Sequence, residues 1–273
     1  MYRNICFLLL LHISIAAKAQ LLSDSSKMTI GNIPYDTASL SKTALRAIQA
    51  YGGFELYTHY TKIEAEVSAS GWAFRLKNRP ALNHAIIRMD IRNPYAEITP
   101  IGNNSLITGV LNGNTVQLLN DQRDTLDERH NARSTFPGKY KMFKWDDLDM
   151  AYFANYAFWN YFTLPVLLMD TSIIWTEKEN GVLIAGFPDD FPTHSKYQEF
   201  IFDTTTGLLI QHNYTVDIIG NWARAANVVL KHTASHNLLF TSSRRVTPIK
   251  RNGKPRKGPV LIEIEVHRFN YLP

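Results

Sequence analysis

The residues best equipped for chemistry are three histidines, His194, His212 and His232, and a run of aspartates, Asp146, Asp147 and Asp149. A neutral imidazole is a general base near neutral pH and a good metal ligand. Any two of these histidines meeting a carboxylate such as Asp203 or Asp217 in one cleft would make an acid–base enzyme. His194 also precedes Ser195 directly, a base beside a nucleophile. Neighbours in an extended chain face opposite ways, however, which is wrong for direct proton transfer. No Gly-x-Ser-x-Gly elbow, no His-Glu-x-x-His and no glycine-rich phosphate loop occurs. The sequence therefore names no catalytic residue.

Metal binding fares no better. The three aspartates lack the further oxygens and the glycine turn of a calcium loop, because Leu148, Met150 and Ala151 interrupt them. They stand where a helix begins, and carboxylates there satisfy amide protons and favour the dipole. By strand period His212 shares a face with Leu208, Ile210 and Tyr214, and His232 shares one with Val228, Leu230 and Ala234, where His236 would follow it. A histidine on an apolar strand face reads as a hydrogen-bonded core residue. The one cysteine, Cys6, falls in the leader described next, so thiol chemistry and cysteine metal sites are excluded. No metal and no cofactor is expected.

Met1-Tyr2-Arg3-Asn4, the apolar run Ile5–Ala17 and the small-x-small triplet Ala17-Lys18-Ala19 read as a secretory signal peptide, 1–19, cleaved before Gln20. The run is too short to span a bilayer, which takes about 20 residues. Cys6 lies early in it, not at the cleavage point where a lipid anchor would be attached. Cleavage leaves residues 20–273 and lowers the formal charge from +5 to +3 by removing Arg3 and Lys18. The expected location is the periplasm or the extracellular space, with no membrane anchor after cleavage. Nucleic acid is not a plausible partner for an exported chain. From Ile218 to Ile262 there is no carboxylate, and Arg244, Arg245, Lys250, Arg251, Lys254, Arg256 and Lys257 offer a candidate contact for an anionic envelope surface.

The elements that must position these groups follow from hydrophobic period. Residues 20–36 are polar and read as a flexible lead-in, with one domain over 37–273. Leu40, Ala44, Ala47, Ile48 and Tyr51 recur at helical spacing until Gly52-Gly53 stops them; Thr37, Ser39 and Ser41 are candidate caps. From Ile63 the period becomes 2. At Gly71 the apolar phase shifts by one, to Trp72, Phe74 and Leu76, which predicts a bulged strand running on through Leu76. Asn112-Gly113-Asn114 joins two apolar runs as a hairpin. Residues 121–144 are polar and carry no clear period. Beyond residue 170 the strands resume: Ile173–Glu177, Val182–Phe187, Tyr197–Asp203, Leu208–Val216, Ala226–Ala234, Phe240–Ile249 and Pro259–Arg268. About a dozen strands with short turns and two helices make a mainly β, α+β chain: a strongly curved antiparallel sheet or incomplete barrel, closed by an N-terminal helix and an aromatic-rich central helix.

That central segment is the most unusual part of the chain. Trp145, Tyr152, Phe153, Tyr156, Phe158, Trp159, Tyr161 and Phe162 are eight of the 32 aromatic residues, packed into 18 positions. At helical spacing they cover nearly the whole circumference, and such a helix must be buried. Asn155, Asn160 and Pro165, with acidic flanks at Asp149 and Asp170, argue against a membrane span. Two arrangements remain open: the rings fill a core, or some of them line a cavity between helix and sheet. Trp72, Phe74, Tyr152, Tyr156, Trp159, Phe200 and Phe202 are the candidate cavity residues, with His212 and Tyr214 as polar anchors.

A signal peptide, a helix ending in Ala50-Tyr51-Gly52-Gly53, long antiparallel strands and an aromatic internal helix together resemble the LolA/LolB-like periplasmic lipoprotein-carrier superfamily. The C-terminal half also resembles an uncharacterised bacterial exported-protein group, through Trp159-Asn160-Tyr161-Phe162-Thr163-Leu164-Pro165, Pro192-Thr193-His194-Ser195, Phe202-Asp203, Gly207-Leu208-Leu209 and Ser243-Arg244-Arg245-Val246. The resemblance implies a curved, incomplete barrel closed by helices over a hydrophobic cavity, and a carrier of a lipid-like or acylated ligand. An enzyme using His194, His212 or His232, and a cell-envelope interaction module without a ligand, are the alternatives.

Overall fold

Alternating apolar residues dominate the structure as they dominate the sequence. The computed structural model describes residues 27–30, 33–36, 40–53, 56, 59–103, 106–136, 141 and 143–273. The signal peptide, its cleavage point and the cap candidates Thr37 and Ser39 lie outside the described residues. Ser41 caps helix α1 (Lys42–Ala50), its Oγ accepting from the Ala44 amide at 3.2 Å. Within the expected lead-in, β1 (Lys27–Ile30) and β2 (Ile33–Asp36) pair as a two-stranded ladder.

All other strands among the described residues join one antiparallel sheet. In chain order they are β3 (Lys62–Ser70), β4 (Leu82–Asp90), β5 (Tyr95–Thr99), β6 (Thr108–Asn112), β7 (Thr115–Leu119) and β8 (Thr125–Arg129). Then come β9 (Ile174–Glu179), β10 (Val182–Gly186), β11 (Tyr197–Phe202), β12 (Leu209–Thr215), β13 (Arg224–Ser235), β14 (Leu238–Pro248) and β15 (Ile262–Leu272). The spatial order is β8-β7-β6-β5-β4-β3-β15-β14-β13-β12-β11-β10-β9, so every neighbour except β3–β15 is also a neighbour in sequence. Ile63, Ala65, Val67 and Ala69 of β3 are buried and alternate with partly exposed residues, as their period requires.

The sheet curves around helix α3 (Asp147–Phe162). This helix packs on β5, β6 and β7 and also touches β14, although four strands lie between β14 and β6 in the sheet order. Only a curved sheet can reach both sides of one helix. The two edge strands, β8 and β9, do not pair with each other, so the barrel stays open. Side chains bridge the opening: Arg133 donates to Thr193 O at 2.6 Å and to Asp217 at 2.5 Å, and Asn114 Nδ2 donates to Asp190 O at 2.9 Å.

Helix α3 starts with the capping box that its aspartates foreshadow. Asp146 Oδ1 accepts from the Asp149 amide at 2.8 Å, and Asp149 Oδ2 accepts from the Asp146 amide at 3.0 Å. Fourteen of its sixteen residues are buried. Thr163 ends it, and a short turn of helix, α4 (Leu164–Leu167), follows with Pro165 in its first turn, where no amide donor is needed.

One expected strand is absent. Beyond Gly71 the chain forms a five-residue helix, α2 (Trp72–Leu76), instead of a bulged continuation of β3. Gly71 sits at φ +133°, and a Cβ there would lie 2.4 Å from Leu261 O. The Trp72 and Ala73 amides turn to bond Val260 O and Leu261 O at 3.2 and 2.9 Å, so the chain crosses its neighbour and leaves the sheet. The alternation of Trp72, Phe74 and Leu76 reflects this crossing and not a pleat.

Candidate functional site

Helix α3 has two unlike flanks. One faces an apolar cleft between α3, α2 and the strands β3 and β15. Phe74, Trp145, Phe153, Ala154, Ala157 and Phe158 form much of its wall, with Ile219, Ile262 and Ile264 opposite. Its empty space is about 600 Å³ with the open mouth included, of which about 60 Å³ is wide enough for the centre of a water molecule. It is a slot, not a chamber. The charges on its wall are both positive, Lys77 and Arg79. Arg79 pairs with Asp147, while Lys77 lies 4.7 Å above the Trp145 ring and donates to Lys141 O at 3.2 Å. Burial pulls the Lys77 ammonium down to about 8, partly opposed by Asp149.

The other flank is closed and polar. His194 lies under α3, its Nε2 2.9 Å from the Tyr161 hydroxyl and its Nδ1 3.3 Å from that of Tyr156. It stacks on Tyr214 with ring centroids 3.8 Å apart. His212 stacks on Phe200 at 4.0 Å and donates from Nε2 to Gln198 Oε1 at 2.6 Å. The His194 and His212 rings are 6.3 Å apart, so two of the three sequence candidates do converge. Both are fully buried. Desolvation drives the His194 imidazolium down to about 3, aided by the Arg133 charge, and drives His212 well below its usual range.

The carboxylates that would complete an acid–base site are elsewhere. Asp217 pairs with Arg133, and its amide donates to His194 O at 3.1 Å through the backbone alone. Asp203 caps the turn at Thr205 and Thr206 with hydrogen bonds of 3.0 and 2.7 Å. Ser195 Oγ donates to Tyr197 O at 3.0 Å, which ties it into a turn. His232 sits apart, its Nε2 2.9 Å from the Tyr51 hydroxyl. Both imidazoles are buried, with His194 bonded to the tyrosine hydroxyls of α3 and His212 to Gln198. Among the described residues, no group of three or more histidine, cysteine or acidic side chains is arranged to hold a metal ion.

The nine residues singled out in the sequence therefore divide. Phe74 lines the cleft, and Trp72 stands beside it on α2, 53% exposed. Tyr152 and Tyr156 pack edge to face, 5.1 Å between centroids, and Tyr156 turns toward His194 on the closed flank. Trp159 is pinned by its indole N–H to Asp90 O at 2.7 Å. Phe200, Phe202, His212 and Tyr214 lie in the core under β11 and β12. His212 does not share its face with Leu208 and Ile210. The register shifts between Ile201 and Phe202, so Leu209 is buried and Ile210 turns 44% exposed.

Arg244 corrects a second expectation. Arg245, Lys250, Arg251, Lys254, Arg256 and Lys257 are exposed or at the surface of the β14–β15 connection, but Arg244 is 1% exposed and cannot meet an envelope surface. Strand alternation decides this, for Arg245 and Arg244 point to opposite faces. Arg244 Nη2 donates to Tyr161 O at 3.1 Å, capping the C-terminal end of α3, and its guanidinium lies 4.8 Å above the Tyr161 ring. Arg129, Arg133 and Lys77 also escaped the sequence reading. The first two stand in the polar 121–144 region, where the composition carries no local sign of a distant carboxylate.

The fold and the cleft define a mainly β protein in which an open, curved antiparallel sheet wraps a buried helix beside an apolar slot. Among the described residues no helix is long and apolar enough to cross a membrane. No protein-family profile and no curated protein sequence matches the chain. It is similar in architecture to a LolA superfamily protein from Nitrosomonas europaea, at 6% identity and TM-score 0.43, over 86% of this chain and 94% of that one. It is also similar to a DUF1329 family protein from Desulfovibrio piger, at 11% identity and TM-score 0.37, over 84% and 90%. A third likeness is to a Vibrio parahaemolyticus domain named for outer membrane lipoprotein sorting, at 8% identity and TM-score 0.43, over 84% and 91%.

Proposed function

We propose that this is an exported binding or carrier protein for a lipid-like or acylated ligand, which acts beyond the cytoplasmic membrane after removal of its leader. The observation that carries this reading is the slot beside α3. Its wall is almost wholly apolar, and one side is the short helix α2, whose outer residues Trp72 and Leu76 are exposed. Small-molecule sites typically enclose about 300–1,000 Å³ and are apolar with a few polar groups. The slot reaches that size only with its mouth included, so it suits one slender chain, not a bulky ring system. Outward movement of α2 would widen it. Lys77 and Arg79 stand where the polar end of such a ligand would emerge.

Binding of Nile red, an uncharged apolar dye, tests this reading on the mature protein stripped of lipid. Dye fluorescence should rise and fall again on adding an alkyl-chain competitor. Ala73→Phe, which fills the slot from the partly exposed helix α2, should weaken binding about tenfold or more. Equal dye binding by Ala73→Phe, with the fold intact by circular dichroism, would show that the slot is not the site.

A further inference from the structure

The buried end of α3 holds a cation without an anion. Arg244 lies on β14 with its guanidinium inside the curved sheet and 1% of the residue exposed. Its Nε donates to Thr241 Oγ1 at 2.9 Å and its Nη2 to Tyr161 O at 3.1 Å. Nη1, with both of its N–H bonds, has no partner. No carboxylate lies within ion-pair distance of it among the described residues. Guanidinium does not lose its proton at ordinary pH, so burial leaves the charge in place. The helix C-terminus supplies about half a compensating charge, and the Tyr161 face adds a cation–π contact. The remainder is unmet in a region of low dielectric, where an unpaired charge costs several kcal/mol.

A small cavity is lined in part by Arg244. Tyr51, Phe162, Leu164, Leu239, Phe240 and Tyr271 line it around Arg244, and about 10 Å³ of it is wide enough for the centre of a water-sized group. That is room for one compact species. A water there would satisfy an N–H bond but not the charge. On the adjacent strand Asn227 is fully buried, opposite Val246, with its side-chain amide beside the Tyr161 hydroxyl. We propose that this cavity is a binding site for one compact monoanion, held by Arg244 Nη1. The anion is either a free halide- or formate-sized ion or the carboxylate head of an amphiphile entering past Leu239 and Pro165. The site lies at the opposite end of α3 from the Trp145 end of the slot and does not depend on the carrier reading.

Thermal unfolding at constant ionic strength tests it. Replacing sodium gluconate by sodium bromide or sodium formate should raise Tm saturably, by about 5 °C at high occupancy. Ala73→Phe should keep this response whether or not the slot binds lipid. Arg244→Met should abolish it, and its Tm in gluconate should equal or exceed that of the wild type. If Arg244→Met does not fold, bromide-soaked crystals of the wild type give the answer: an anomalous peak within hydrogen-bonding reach of Nη1 supports the site. Half-saturation by laurate far below that by formate, with dodecanol inactive, assigns the anion to an amphiphile; equal concentrations assign it to a free ion. A wild-type Tm indifferent to bromide, formate and laurate, or no bromide at Nη1, overturns the proposal.

Discussion

His194 and Tyr214 stack face to face, their ring centroids 3.8 Å apart and their planes 7° from parallel. The pair lies beneath the C-terminal half of α3, and the Tyr161 hydroxyl links both, 2.9 Å from His194 Nε2 and 2.9 Å from the Tyr214 hydroxyl. Asn160 extends the linkage, donating to Tyr156 O at 2.7 Å and to Pro192 O at 2.9 Å. This polar seam fixes the rotation of a helix that is otherwise apolar on all sides and would have little reason to prefer one face.

Acid should loosen that seam. Burial holds His194 at about 3 and His232 at about 4, below the ordinary value of 6.5 in the unfolded chain. Between those values the unfolded state binds more protons than the folded one, so stability rises with pH there. The contribution is complete above about pH 6.5 and is lost as pH falls, down to about 4 for His232 and about 3 for His194. Urea unfolding at pH 7 and pH 4.5 should show a clear drop in midpoint, and His194→Phe, which cannot titrate, should show a smaller drop between the same two values. An unchanged pH slope in His194→Phe would mean that other groups govern acid unfolding.

Asp149 anchors the other end of α3. It is fully buried, accepts from Arg129 Nη1 at 2.8 Å, and pairs with Lys141. Asp149→Ala would remove the capping box and leave part of two cationic partners uncompensated, at a cost of about 3–5 kcal/mol. Asp147→Ala, which keeps the capping box, should cost about 1 kcal/mol or less. Chemical denaturation of both variants measures the difference, and similar losses would contradict the assignment.

Gly71 and Gly53 form a matched control. Both have positive φ, +133° and +69°, but a Cβ on Gly71 meets Leu261 O at 2.4 Å whereas one on Gly53 meets nothing within 4 Å. Gly53→Ala should cost about 1–2 kcal/mol from backbone conformation alone. Gly71→Ala should cost more, and because it displaces α2 it should also alter dye binding in the slot. Dye binding unchanged in a destabilised Gly71→Ala would separate α2 from ligand capture.

Trp159→Phe removes the hydrogen bond to Asp90 O while keeping most of the ring volume. A loss of about 1–3 kcal/mol is expected, since the Asp90 carbonyl at the end of β4 loses its partner. Stability equal to wild type would mean that water reaches that carbonyl.

Local pattern carried much of the architecture. Period 2 in β3, the Asn112–Asn114 turn, the aspartate cap and the all-round apolar α3 could be read directly, because each depends on residues within a few positions of one another. Their outcomes were settled by chain geometry that any neighbour would respect. The candidate site was less legible. Phe74 lines the slot, whereas Tyr156, equally aromatic, turns toward His194, Trp159 bonds Asp90 O and His212 stacks on Phe200 in the core. Composition cannot distinguish a ring that lines a slot from one that fills a core.

Taken by itself, the sequence determined the antiparallel sheet, the burial of the aromatic helix and the absence of any catalytic motif. Only the tertiary structure decided that Trp72–Leu76 is a helix, that Ile210 and not Leu209 faces outward, and that Arg244 lies inside while Arg245 lies outside. Each of those outcomes rests on a contact between residues far apart in the chain: Gly71 against Leu261, β11 against β12 across a register shift, Arg244 against the last turn of α3. A one-residue change of phase exchanges the two faces of a strand, and nothing local reports where it falls.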